Sequence, residues 1–364
     1  MATARAASVK VAAKFMRENS RQAVPELPLA GHGGNLFAAR RAYPQAPEPW
    51  LDLSTGINPD AYPFANPPLE SFTRLPQPEE LHALEAAARA AYRAPVVAEV
   101  VAAPGTQAII SMLPHLVPAR RVGILGFTYC EYAQSWEEVG VEVTIAEDFA
   151  ALESMDVAII VNPNNPDGRR VPAADLHALA AALAARGCLL IADEAFADFL
   201  EPGASAIPEM PARGMLVLRS FGKAYGLPGL RLGFAIAPKP LVERLRAALG
   251  PWPVSGAAIA IGSKALMDEA WLAAARMRLA KQGLALDALL AAAGFDVIGG
   301  SVLFRLVRHQ DAQGWFERLA ESGILVRRFA ARPDWLRFGI VGTNDNMVRL
   351  CKALVLEPNG QTGR

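Results

Sequence analysis

The sequence predicts an α/β protein: a large domain built on a mainly parallel sheet flanked by helices, plus a smaller α+β domain. Apolar runs of strand length recur at 121–125, 141–146, 156–161, 188–192 and 215–219, with helical segments between them. Several are apolar nearly throughout, as strands covered on both faces are. They run into turn-forming or polar residues, among them Gly126, Asn162, Asp193 and Ser220, at the sheet edge where ligands collect in open α/β folds. Strand–helix alternation of this kind is satisfied by a sheet with helices on both faces.

Taken in order, residues 1–30 form an amino-terminal arm. Its first 22 residues carry Arg5, Lys10, Lys14, Arg17 and Arg21 against one acid, Glu18. That superficially resembles a transit peptide, but there is no apolar signal core, and the reading preferred is an extended start upstream of Met16 or a disordered arm. Residues 78–93 read as an amphipathic helix, and the large domain spans 66–254. From 255 an Ala-rich helical stretch leads to Gly294. Segments 302–307, 313–322, 324–326 and 335–340 then alternate strand and helix, so residues 31–65 and 255–364 are expected to make the small domain.

A chain of 364 residues, 52% hydrophobic and 20% charged, can bury a large core and divide into two domains. Its 36 basic and 36 acidic residues give no basic field for nucleic acid, and no stretch approaches a membrane span. Cys130, Cys188 and Cys351 show no paired spacing and suit a reducing compartment. Neither they nor the five scattered histidines imply a metal.

The chemistry is concentrated in four segments. Ser220-Phe221-Gly222-Lys223, with Arg231 eight residues on, sets a lysine among Gly, Phe and Leu, where poor solvation disfavours the ammonium and leaves an amine able to form a Schiff base. The serine and arginine suit a phosphate. Together they describe a site for an aldehyde cofactor with a phosphate handle, and pyridoxal phosphate fits. Asp193, ending an apolar run, can face a pyridine nitrogen and hold it protonated. The loop Asn162-Pro163-Asn164-Asn165-Pro166-Asp167-Gly168 is rigid and can offer an amide to a phenolate oxygen. Gly105-Thr106-Gln107 opens an apolar helical stretch whose first amides seek an anion. Each segment alone has an ordinary reading, as a loop lysine, an ion pair or a helix cap.

In order and spacing the four segments resemble the fold-type I pyridoxal phosphate enzymes, in the branch of histidinol-phosphate aminotransferases and L-threonine O-3-phosphate decarboxylases. The resemblance runs from about residue 32 to 356. It implies that Lys223 carries the cofactor, that Ser220 and Arg231 bind its phosphate, and that Gly105, Thr106 and Gln107 provide the amide seat. It implies further that Asp193 pairs with the ring nitrogen, that Asn165 contacts the ring hydroxyl, and that Tyr129, in Phe127-Thr128-Tyr129-Cys130-Glu131-Tyr132, lies over the ring. A homodimer with sites at the interface is also implied. Where the family often has Tyr-Pro-Asp-Pro this chain has Leu75-Pro76-Gln77-Pro78, so Leu75 cannot give the hydrogen bond that crosses to the neighbouring cofactor phosphate.

Gly31-His32-Gly33-Gly34-Asn35 and Ser54-Thr55-Gly56-Ile57-Asn58-Pro59 are similar to segments of the decarboxylase branch, and Phe196 stands where transaminases of this group commonly have tyrosine. The resemblance implies substrate contacts from His32, Gly33 and Asn58, and from Arg327 and Arg337, each set in an apolar strand-like run where an unpaired charge is costly. Its implied substrate is a small phosphorylated amino acid. The implied reaction is cytoplasmic decarboxylation of L-threonine O-3-phosphate to (R)-1-aminopropan-2-yl phosphate for cobalamin (corrinoid) biosynthesis, with Lys223 returning a proton to the α-carbon. The rivals are a histidinol-phosphate-type aminotransferase and a non-catalytic partner subunit in attaching aminopropanol to the corrinoid.

Overall fold

The computed structural model describes residues 32–355; the expected arm over 1–30, with the choice between Met1 and Met16, lies outside the described residues. In chain order the strands are β1 (Leu51–Asp52), β2 (Glu99–Ala103), β3 (Arg121–Leu125), β4 (Glu142–Ala146), β5 (Val157–Val161), β6 (Leu189–Asp193), β7 (Met215–Ser220), β8 (Gly233–Ala237), β9 (Asp296–Ser301), β10 (Phe304–Arg308), β11 (Ile324–Leu325), β12 (Arg327–Phe329) and β13 (Arg332–Gly339). Seven make one sheet in the order β2-β8-β7-β6-β5-β3-β4. Strands β3 to β7 run parallel, and β8 runs antiparallel between β2 and β7.

The five runs expected from the sequence are β3 to β7. Strands β2 and β8 are additions. Alanine and glycine fill much of them, residues with weak strand preference, and their place in the sheet rather than their pattern makes them strands. Alternation of side chains across the pleat divides the core in two. Ile159, Ile191 and Leu216 pack on one face with Ile109, Ile110 and Leu113 of the helix Thr106–Leu116. Ile160, Ala192 and Val217 pack on the other with Leu176, Leu179 and Leu183 of the helix Ala173–Ala184. With both faces covered, the loops at the strand ends are what remains open to a ligand.

The Ala-rich stretch from 255 is two helices, Gly256–Leu266 and Glu269–Ala292, because the Asp268 side chain accepts from the Trp271 N–H and starts the second. Beyond them β9, β10, β13 and β12 form an antiparallel sheet. The amino-terminal segment joins this end of the chain, since β1 pairs in parallel with β11. Gly299 of β9 is a glycine of necessity: a Cβ there would lie 2.2 Å from the Asp167 carbonyl oxygen. That close approach docks the Asn162–Gly168 loop against the second sheet.

Candidate active site

Loops following β2, β3, β5, β6 and β7 converge with β12 and β13 on one cavity of about 500 Å³. It is lined by every site residue expected from the sequence except Asn58. Asn58 is buried and both ends of its amide are engaged: Nδ2 donates to the Ala224 carbonyl (2.8 Å) and Oδ1 accepts from the Asp60 N–H (3.0 Å). Its own N–H donates to the Lys223 carbonyl (2.9 Å). The structure thus makes Asn58 a strut under the lysine turn rather than a wall of the cavity.

Lys223 sits on the single turn Phe221–Ala224 that follows β7, its Nζ 5.5 Å from the centre of the Phe196 ring. Burial, with the Arg337 and Arg231 cations adding, pulls its amine down to about 8 against a pull upward from Asp193. A lysine in that range is partly neutral near physiological pH. Asp193 ends β6 with both oxygens held: Oδ1 accepts from the Ala195 N–H and Oδ2 from the Tyr132 hydroxyl, each at 2.9 Å. Burial pushes its carboxyl up, while these two bonds and the Lys223 charge pull it back.

Gly105 takes φ +83° at the start of the helix Thr106–Leu116, and a Cβ on it would lie 2.8 Å from Arg231 Nη2. The unpaired amides of that helix start and the guanidinium therefore share one small space, with Ser220 also lining the cavity. Gln107 lines the cavity as expected of the amide seat, but its side chain has another task. It accepts from the Tyr129 hydroxyl (2.9 Å) and donates to Glu131 (2.8 Å), whose other oxygen lies 2.9 Å from His32 Nε2. A chain of polar contacts thereby runs from His32 at the amino-terminal segment to Tyr129.

His32, Cys130 and Glu131 bring ligand-type atoms within 4.8 Å of one another, a grouping that no sequence spacing announced because His32 comes from a distant segment. The carboxylate already serves His32 and Gln107, and Arg327 acts electrostatically on the thiol.

Arg327 and Arg337 are register partners across β12 and β13. Arg337 donates through Nη2 to the Ser54 carbonyl (2.7 Å) and through Nη1 to Asn165 Oδ1. Its Nε, the Arg327 Nη1 and the Thr128 hydroxyl are buried without a partner among the described residues. Burial and the facing Arg327 charge hold Arg337 down to about 9. Nothing in the sequence marks Thr128 except its place beside Tyr129. Tyr132 closes the same segment, and the sequence assigns it no role.

These features fit pyridoxal phosphate: an amine made partly neutral, a carboxylate anchored by two donors, a helix start beside an arginine, and buried donors with no acceptor. Among the described residues no helix is long and apolar enough to cross a membrane.

The family model described as aminotransferase class I and II matches residues 69–354. A threonine-phosphate decarboxylase of a Sinorhizobium species is 44% identical over 326 residues, 89% of this chain and 97% of the relative. One from Pseudomonas aeruginosa is 40% identical over 329 residues, again 89% of this chain and 97% of the relative. Among solved structures, the histidinol-phosphate aminotransferase of Sinorhizobium meliloti in complex with pyridoxal-5'-phosphate has a TM-score of 0.71 at 19% identity, covering 92% of this chain and 96% of that one. At that identity the likeness concerns the fold.

Proposed function

Because the chain belongs to the aminotransferase class I and II family, we propose that it is a pyridoxal phosphate-dependent decarboxylase. Its substrate is L-threonine O-3-phosphate and its products are carbon dioxide and (R)-1-aminopropan-2-yl phosphate. The two threonine-phosphate decarboxylases at 44% and 40% identity support the substrate. The observation in this chain that carries the reading is the opposed pair Arg327 and Arg337, a half-buried and a buried cation each with a nitrogen lacking a partner among the described residues, on the wall of the cavity that holds the Lys223 amine.

When bound, the cofactor supplies an aldehyde for amines and a ring that draws electrons from the α-carbon. The chain's residues do the rest. Lys223, with a proton held near neutrality, can give that proton to the α-carbon in place of the departing carboxylate. Asp193 holds a negative charge at a fixed place in the cavity. Arg327 and Arg337 hold a substrate anion, and a bidentate grip on it fixes which bond at the α-carbon faces the ring. Gly105, Thr106, Ser220 and Arg231 hold a phosphate, and His32 and Gly33 stand on the same wall as substrate contacts.

The reading extends to a homodimer. Phe64, Leu69, Phe72, Leu75 and Trp252 are all exposed on this single chain, and apolar side chains exposed in such number suit a partner. We place the protein in the cytoplasm, since its three cysteines are free.

The test mixes the purified holoenzyme with L-threonine O-3-phosphate and measures gas release and product. Stoichiometric carbon dioxide and aminopropanol phosphate from this chain alone are expected, and they would leave no need for a corrinoid-pathway partner protein. Amino transfer from histidinol phosphate to 2-oxoglutarate without carbon dioxide would overturn the assignment.

A further inference from the structure

We propose that Tyr132 is a positioning residue for the ring-nitrogen acid and the stacking ring at once. Its hydroxyl fixes the Asp193 carboxylate, and its ring props Tyr129. The inference rests on the cofactor reading above.

Tyr132 lies in the first turn of the helix Glu131–Glu137 and is fully buried. Its hydroxyl has one hydrogen-bond partner among the described residues, Asp193 Oδ2 at 2.9 Å. The other carboxylate oxygen accepts from the Ala195 N–H at 2.9 Å. Asp193 is therefore pinned from two directions and cannot turn without breaking a bond on each oxygen. The residue three positions before Tyr132 is Tyr129, and the two rings meet edge to face at 6.4 Å and 85°, a geometry that aromatic quadrupoles favour. One buried side chain thus touches both the acid that would face the cofactor nitrogen and the ring that would cover the cofactor face.

A hydroxyl donated to a buried carboxylate stabilises its charged form. A charged Asp193 in turn keeps a proton on the ring nitrogen, so loss of the hydroxyl moves the shared proton toward Asp193. Hydrogen bonds to charged groups are the stronger kind, which makes the expected shift in proton sharing about tenfold. Tyr132→Phe removes only the oxygen and keeps the ring that packs on Tyr129.

The experiment loads parent and Y132F with pyridoxal phosphate labelled with nitrogen-15 in the ring and records its nitrogen signal at neutral pH. The signal of Y132F is expected to move toward that of unprotonated pyridine, with kcat for threonine phosphate down about tenfold and KM unchanged, the signature of a group that serves the transition state. An unmoved nitrogen signal overturns the proposal, even where activity falls, because a merely structural tyrosine would leave ring protonation alone. A parent that takes up no labelled cofactor overturns the cofactor reading and this role together. A parent that shows the nitrogen response without releasing carbon dioxide keeps the role of Tyr132 and sinks only the decarboxylase assignment.

Discussion

Arg327 and Arg337 stand directly opposite each other across a strand pair, two like charges in register, and the Arg327 charge opposes that of Arg337 more than Asp52 supports it. Like charges opposed on a sheet destabilise it, and the burial of Arg337 raises the cost. The Arg327 side chain has no hydrogen-bond partner among the described residues; its guanidinium carbon lies 5.5 Å from the centre of the Phe329 ring. An anion held between the two, as proposed above, would relieve this repulsion.

Arg327→Met is therefore expected to stabilise the cofactor-free protein by about 1 kcal/mol while weakening kcat/KM for threonine phosphate by about tenfold or more. Urea unfolding and steady-state kinetics read the two effects separately. A variant less stable than the parent would show that the arginine is held by an acid in solution and that the site is not short of an anion.

The proposed phosphate seat depends on an absent Cβ. Gly105→Ala puts a methyl into the space of the Arg231 guanidinium, on a backbone at φ +83° that alanine resists. Cofactor affinity should fall by about tenfold or more, the scale of one missing hydrogen bond to a charged group. Absorbance titration of the cofactor-free variant measures it, and an unchanged dissociation constant would move the phosphate away from Arg231.

Much of this was legible in the sequence. Strands β5 and β6 declared themselves because burial on both faces writes a nearly unbroken apolar run, while the exposed edge strand β4 showed only a partly apolar one, and Asp193 sat where such a run stops. Gln107 and Asn58 show the limit, since an amide beside a glycine or a proline reads the same whether it meets a ligand or a neighbouring backbone. Which of the two holds is decided by folding. Tyr132 and Asp193 are 61 positions apart, and no local pattern announces a partner at that distance. Strands β2 and β8 were invisible for a related reason: their environment selects the extended form, β7 pairing with β8 and β8 in turn with β2.

Lys223 gives the pH dependence its sign. Its folded value near 8 lies below the ordinary 10.5, so between those limits the unfolded chain binds the extra proton and stability rises with pH. Below about 8 the charge is present in both states and the burial penalty is felt in full. Lys223→Met abolishes it. The cofactor-free variant should exceed the parent by about 2–3 kcal/mol at neutral pH, with the gap closing as pH rises from 8 toward 10.5. Urea midpoints across that range check it; a gap constant with pH would mean that Lys223 keeps its ordinary proton affinity in the fold.

Behind the cavity a buried ion cluster ties together the strand ends that carry two proposed cofactor contacts, Asp193 and Ser220. Glu194 follows Asp193 and Arg219 precedes Ser220, and the pair meets at 2.9 Å with both side chains excluded from water. Arg219 also reaches Asp198 at 3.1 Å and lies 4.5 Å over the Tyr92 ring. Glu194 is spoken for on both oxygens, one accepting from the Ala206 N–H at 2.7 Å and the other from the Ser205 hydroxyl at 2.6 Å as well as from Arg219. Glu194→Gln turns an amide N–H against a donor on one side or the other and leaves Asp198 as the one carboxylate paired with Arg219 among the described residues. Breaking one side of a buried pair costs about 3 kcal/mol, and because strands β6 and β7 lose their clasp beside Asp193 and Ser220, the cofactor should leave faster as well. Urea unfolding of the holoenzyme with cofactor-release kinetics measures both. A stability loss below about 1 kcal/mol, the scale of one neutral hydrogen bond, would show that Asp198 suffices to neutralise Arg219 and that Glu194 serves only its own loop.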